Sequence, residues 1–201
     1  MSDKNITIFA NMLINKPKRF NHLKDSFYSF KDISDNWLVN IRGDLRDEVI
    51  SFLRQELGDK MTSFELLDDN RPGGGWFKNA TDMLDKAKYD YVLLWNEDHI
   101  NMVSQDIYPR IINEMKKNDV DYLMYSWWLS GEYRKNFEVE GLKKHEYIDT
   151  IYLTKQLWKK QLKKGYDKYI ISMVGIYKKD FLLKMIDKEI GKWPLGITTN
   201  I

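Results

Sequence analysis

The stretch YDYVLLWNEDHIN, residues 89–101, runs a short apolar segment directly into Asn96, Glu97, Asp98 and His99. Two consecutive carboxylates delivered by the end of a buried strand suit a hard cation, Mg²⁺ or Mn²⁺, that keeps open positions for phosphate oxygens. Asn96 and His99 extend the ligand set. A coordinating imidazole at His99 tilts the choice toward Mn²⁺, whereas the same ring one shell out would orient a carboxylate. The plainer alternative is that Asn96 and Asp98 cap the next turn, as short polar side chains commonly do.

A second polar stretch, DDNRPGGGWFKN over residues 68–79, sets Arg71 and Lys78 on either side of three consecutive glycines ahead of a helix. Exposed backbone N–H groups and two cations there can receive phosphate or sugar hydroxyls. The order is neither GxxxxGK[ST] nor GxGxxG, which excludes the usual mononucleotide and dinucleotide loops. A flexible turn is the competing explanation.

The elements that position these residues are legible as an alternation. ITIFANML (6–13) reads as a buried strand, followed by Phe20, Leu23, Phe27 and Phe30 at helical intervals. NWLVNI (36–41) is a second strand, and DLRDEVISFLRQELG (44–58) a helix stopped at Gly58. SFELLDD (63–69), the helix GWFKNATDMLDKAK (75–88) and the strand YDYVLLW (89–95) complete four strands with their helices. Such alternation predicts an α/β fold, a parallel sheet with helices over it, in which the loops after the strands share the edge where ligands bind. Beyond it come a helix over 104–118 with Pro109 near its start, an aromatic strand over 120–129, poor periodicity from 130 to 168, a strand over 169–177 and a last helix over 178–191. The irregular region is expected to be an acceptor-binding insertion.

Composition narrows the class. The chain has 201 residues, 43% of them hydrophobic and 31% charged, as a single soluble domain would. With 32 basic and 30 acidic side chains the net charge is +2, which gives no nucleic-acid footprint. The absence of cysteine excludes disulfides and thiolate zinc sites. No apolar run approaches the roughly 20 residues of a membrane span, and the start lacks the order of a secretory signal, so a cytoplasmic location is expected. KQLWKKQLKKGYDK (155–168) places six lysines around Leu157, Trp158 and Leu162. That pattern suits either a solvated helix face or peripheral contact at the inner face of an anionic membrane.

Taken in order, NKPKRF with SFYSF, then NIRGD, then GWFKNA, then YVLLWNEDH resemble the nucleotide-binding half of family 2-like glycosyltransferases of the GT-A fold. The resemblance covers roughly residues 5–101, about half the chain. It implies a Rossmann-like, mostly parallel sheet with helices on both faces, in one domain over 1–201: a nucleotide-sugar-binding half (1–101) and an acceptor-side half (102–201), the latter expected to be truncated. It aligns Asn15, Lys16 and Arg19 with a Thr-Tyr-Asn-Arg-like stretch, Gly43 and Asp44 with the acidic turn, and Gly75 to Asn79 with a Gly-x-x-x-Asn helix. Asn96, Glu97 and Asp98 fall on the Asp-x-Asp metal motif. The donor-binding set so implied is Asn15, Asp44, Arg71, Gly75, Lys78, Asn79, Asn96 and Glu97, with Asp98, Glu97 and His99 on the metal. The sequence departs from the pattern in having Asn96 first in the metal motif, and Asn40 and Arg42 where acidic residues usually hold uracil.

The implied activity is hexosyltransferase-like transfer from a nucleoside diphosphate sugar to a glycan or lipid-linked acceptor, with Mn²⁺ or Mg²⁺ as cofactor. Inversion needs a carboxylate base, and the candidates are Asp187, Glu189 and Asp149. His22 and His145 read as ordinary polar residues, and Trp127 and Trp128 offer an acceptor platform or core packing. A non-catalytic sugar- or nucleotide-binding module of the same fold, and a sugar nucleotidyltransferase, stay open as alternatives. The second expects its glycine signature after the first strand, where NMLINKPKRF stands.

Overall fold

The computed structural model describes residues 4–66, 76–124, 142–152, 154–163 and 175–186. Strands β1 (Thr7–Leu13), β2 (Trp37–Arg42), β3 (Met61–Phe64) and β4 (Tyr91–Leu94) alternate with helices α1 (Pro17–Phe30), α2 (Arg46–Leu57) and α3 (Trp76–Leu84). Helix α4 (Tyr108–Lys117), strand β5 (Tyr122–Met124), a hairpin of β6 (Leu142–Lys144) and β7 (Asp149–Ile151), helix α5 (Lys155–Lys163), strand β8 (Gly175–Lys178) and helix α6 (Lys179–Met185) follow.

Six strands form one sheet in the order β3-β2-β1-β4-β8-β5. The first four are mutually parallel, as the alternation predicts, with Phe9 opposite both Leu38 and Leu94. β8 runs antiparallel to β4 and to β5, so it is the reversed strand of a mostly parallel sheet. Two apolar clusters cover the two faces. On one, Ile8, Ala10, Val39, Leu93 and Trp95 meet Leu23 and Phe27 of α1, Val49 and Leu53 of α2, and Ile112 of α4. On the other, Phe9, Leu38, Val92 and Leu94 meet Ala80 and Met83 of α3 and Leu182 of α6. Successive strand residues alternate between the clusters because a strand's side chains point to opposite faces.

Several expected boundaries shift: α3 ends at Leu84 rather than 88, α4 begins at Tyr108 rather than 104, after a 3₁₀ turn at Gln105–Ile107, and α6 ends at Met185 rather than 191. β3 spans 61–64 rather than 63–69, because a short 3₁₀ turn at Gly58–Lys60 ends α2 and the strand begins directly after it. The region 130–168 is not uniformly irregular: it holds the hairpin and α5. Three-residue strands such as Leu-Lys-Lys and Asp-Thr-Ile carry no apolar alternation to announce them. Trp127 and Trp128 lie outside the described residues.

The edge that carries the site is set by backbone contacts. Gly43 has φ +98, and a Cβ there would stand 2.7 Å from the Ile14 carbonyl oxygen. Only glycine lets the β2 exit approach the β1 exit so closely. Ile14 then donates to the Arg42 carbonyl at 2.7 Å and accepts from the Leu45 N–H at 3.1 Å.

Candidate functional site

Three chain exits gather at the carboxyl ends of β1, β2 and β4. The interlock of Ile14 with residues 42–45 brings the loops bearing Asn15 and Asp44 together, both exposed. Next to β1 on its other side, the Trp95 N–H donates to the Phe9 carbonyl at 2.9 Å, and the chain then leaves β4 as the acidic turn. Asn79 of α3 is buried on the opposite face. Arg71, Gly75, Asp187 and Glu189 lie outside the described residues, and Lys78 is placed only as backbone within α3.

The acidic turn divides its carboxylates between two roles. Glu97 is buried, at 7% exposure, and receives the Arg19 guanidinium: Nε donates to Oε1 at 2.5 Å, and Nη2 donates to the same oxygen. Asp98 instead has a side chain 62% exposed, and its Oδ1 lies 2.7 Å from His99 Nδ1. Among the described residues no group of three or more acidic or imidazole side chains assembles into a metal cage. Mg²⁺ and Mn²⁺ are commonly held by one or two carboxylates, with water and substrate phosphates completing the shell. Asp98, with His99 against it, has the exposure such a ligand needs.

Helix α1 carries the turn. Its face toward the sheet is apolar at Leu23, Phe27 and Phe30, yet Ser26 on the same face is fully buried. Ser26 Oγ accepts the Trp95 indole N–H at 2.8 Å and donates to the His99 carbonyl, with the Asn96 carbonyl at 3.3 Å. One turn on, Ser29 Oγ accepts the Asn101 N–H at 2.9 Å, and the Ser29 carbonyl accepts the Asn101 amide at 3.1 Å. Sequence reasoning missed both serines. The available signal was two small hydroxyls interrupting an apolar helix face, where they are favoured only with partners.

Asn40, expected in the uracil position, is fully buried and otherwise engaged. Its amide donates to Asn11 Oδ1 and to the Leu66 carbonyl, both at 3.1 Å, and its oxygen accepts the Leu66 N–H at 3.2 Å. It therefore ties β1, β2 and the β3 exit together. Asp149 begins β7 and pairs in register with Lys144, on a hairpin whose docking partner is α4. His145 Nε2 meets Thr150 Oγ1 at 2.9 Å across that hairpin, and His22 is exposed on α1.

No helix among the described residues is long and apolar enough to cross a membrane. In α5, Lys155, Lys159, Lys160 and Lys163 are exposed.

No protein-family model matches the chain, and no curated protein sequence matches it significantly. Solved structures do. S. aureus TarS aligns at TM-score 0.53 with 16% identity, over 94% of this chain and 31% of that one. TarS 1-349 aligns at 0.50 with 15% identity, over 90% of this chain and 48% of that one. TarS 1-349 in complex with UDP-GlcNAc aligns at 0.51 with 17% identity, over 90% and 46%. The chain thus spans less than half the length of the structures it resembles, and what it shares with them is the mostly parallel, helix-covered sheet of the GT-A-like glycosyltransferase fold.

Proposed function

We propose that this chain is a glycosyltransferase, family 2-like, that binds a nucleoside diphosphate sugar at the carboxyl ends of β1, β2 and β4. The observation that carries the reading is the exposed Asp98 carboxylate, paired with the half-buried His99 at the exit of β4, beside the β1 exit of a GT-A-like sheet. The fold likeness to a structure in complex with UDP-GlcNAc supports a nucleotide-sugar donor.

In this reading Asp98, with His99 beside it, would hold Mn²⁺ or Mg²⁺, and Asn15, Asp44, Asn79 and Asn96 line the donor side. The divalent ion supplies neutralisation of the diphosphate leaving group. Arg71, Lys78 and the glycines through Gly75 contribute backbone donors and cations to the same phosphates. The acceptor is a glycan or lipid-linked hydroxyl, deprotonated for inversion by Asp187, Glu189 or Asp149. The exposed lysines of α5 bring the protein to an anionic membrane surface when the acceptor is lipid-linked.

The test is a thermal-shift screen of nucleoside diphosphate sugars with and without Mn²⁺, starting from UDP-GlcNAc, followed by donor hydrolysis or transfer. A donor present at 100 times its Kd raises stability by about 2.7 kcal/mol. The expected result is a rise in Tm that requires Mn²⁺ and disappears, with turnover, in Asp98→Ala. Donor affinity without turnover in any acceptor mixture would mark a binding module; no affinity for nucleoside diphosphates would end the proposal.

A further inference from the structure

Glu97 sits between two residues with opposite tasks. A ligand of an ion shared with a substrate must be open to solvent, and Asp98, 62% exposed, is. Glu97 at 7% exposure is not, and a carboxylate so buried needs a compensating cation. Arg19 provides it from 78 positions earlier in the chain, spending two donors of its fork on the single oxygen Oε1.

The position of Arg19 gives the contact a purpose. It lies in the first turn of α1, where its backbone N–H donates to the Lys16 carbonyl at 3.0 Å. Seven and ten positions further along, Ser26 and Ser29 hold the carbonyls of Asn96 and His99 and both ends of Asn101. Positions separated by seven and ten share one helix face. The acidic turn is therefore clamped at several points along α1, and Asp98 is the carboxylate it leaves outward. We infer that Arg19 and Glu97 are a positioning pair: through Glu97, Arg19 fixes the turn that presents Asp98, and Glu97 is not itself a ligand of the ion or the donor. This rests on the donor-binding role proposed for Asp98.

The experiment compares Arg19→Gln, Glu97→Gln, their double variant, the milder Arg19→Lys and Asp98→Asn. Two readouts are taken: amide hydrogen exchange over residues 96–101 in the ligand-free protein, and Mn²⁺ affinity in the presence of UDP, from the electron paramagnetic resonance signal of free Mn²⁺. Each Gln variant is expected to speed exchange across 96–101 by about tenfold or more, with the β1–β2 amides unchanged. Mn²⁺ affinity should fall by roughly three- to tenfold in each, and the double variant should be no worse than the weaker single, since contacting residues are not additive. Arg19→Lys, which keeps the charge and loses the fork, should fall between wild type and Arg19→Gln. Asp98→Asn should lose Mn²⁺ affinity by about a hundredfold or more with exchange unaltered. Glu97→Gln abolishing Mn²⁺ affinity while Arg19→Gln preserves it would make Glu97 a ligand and overturn the pair. Unchanged exchange in both Gln variants would overturn it as well. If the wild type has no affinity for Mn²⁺ and UDP, the proposed function fails, and the exchange arm still decides whether Arg19 and Glu97 anchor the turn.

Discussion

Between β1 and β2 every residue from Ile8 to Leu13 has a parallel partner, and the side chains between them are mostly buried. Between β6 and β7 only three pairs form, from Leu142 with Ile151 to Lys144 with Asp149, and most of their side chains are exposed or half-buried. The first region stands on apolar burial: Trp37 packs edge-on against Trp95 at 5.2 Å, with Phe27 at 5.6 Å. The second stands on a few polar anchors, Glu114 above all, plus one buried residue, Ile148. A platform for a ligand has to hold its shape against binding forces, and apolar packing supplies that because interiors resist deformation. A polar anchor can be released without disturbing the core beneath it.

The largest contrast is expected from truncating an aromatic in each region. Trp37 is fully buried, so Trp37→Ala should cost about 3–5 kcal/mol in a denaturant titration. Tyr147, half-buried on the hairpin, donates its hydroxyl to Glu146 and accepts from Arg110 at 3.2 Å. Tyr147→Ala should cost roughly 1 kcal/mol or less of global stability. Equal costs would mean that the hairpin folds as one unit with the sheet.

Two glycines give the next contrast. Both have positive φ, but a Cβ on Gly43 would run into the Ile14 carbonyl, whereas one on Gly58 would meet nothing within 4 Å. Gly43→Ala should therefore cost roughly 2–4 kcal/mol, strain plus backbone displacement, and Gly58→Ala about 1–2 kcal/mol, strain alone. The same displacement would separate the loops of Asn15 and Asp44, so Gly43→Ala should weaken donor binding beyond its loss of stability. A purely global effect would show nucleotide affinity at full strength in the fraction that remains folded.

How much of this could be read from the sequence follows the same division. β1, α1, β2, α2 and β4 announce themselves by apolar periodicity, and the bounds of β1, β2, α2 and β4 fall within two residues of expectation. The Asn96–His99 cluster was legible because a polar block after a buried strand is a break in pattern. What could not be read was which carboxylate faces inward, since Glu97 and Asp98 are adjacent and only the Arg19 contact distinguishes them. Nor could the task of Asn40 be read: the sequence marked it only as a departure where acidic residues usually hold uracil, while its two hydrogen bonds to Leu66 make it a tie between strands. The hairpin gave no signal because its stabilising partner, Glu114, lies some thirty positions earlier.

That anchor yields the smallest and most local effect. The Glu114 carboxylate accepts the backbone N–H groups of Glu146 at 3.0 Å, Tyr147 at 2.8 Å and Ile148 at 2.9 Å. Burial pushes its carboxyl up, but the three N–H donors, Tyr147 first, and the neighbouring His145 outweigh that and hold it below the usual glutamate range. With the folded value depressed, the docking contribution is fully present above the ordinary value of about 4.3 and is lost as pH falls through the lower folded value. The amide resonances of Glu146, Tyr147 and Ile148 should therefore shift together on the acid side of that value, while the amides of β1 and β2 stay in place. Glu114→Gln, whose single carbonyl offers less than a carboxylate, should leave those three resonances at their acid positions at neutral pH and remove the titration. Asp119, whose carboxyl is also held low, in its case by Lys178, is the control: Asp119→Asn should leave the hairpin titration untouched. A hairpin that keeps its resonances in Glu114→Gln would be held by Ile148 packing instead, and the contrast between the apolar platform and a polar-anchored hairpin would be lost.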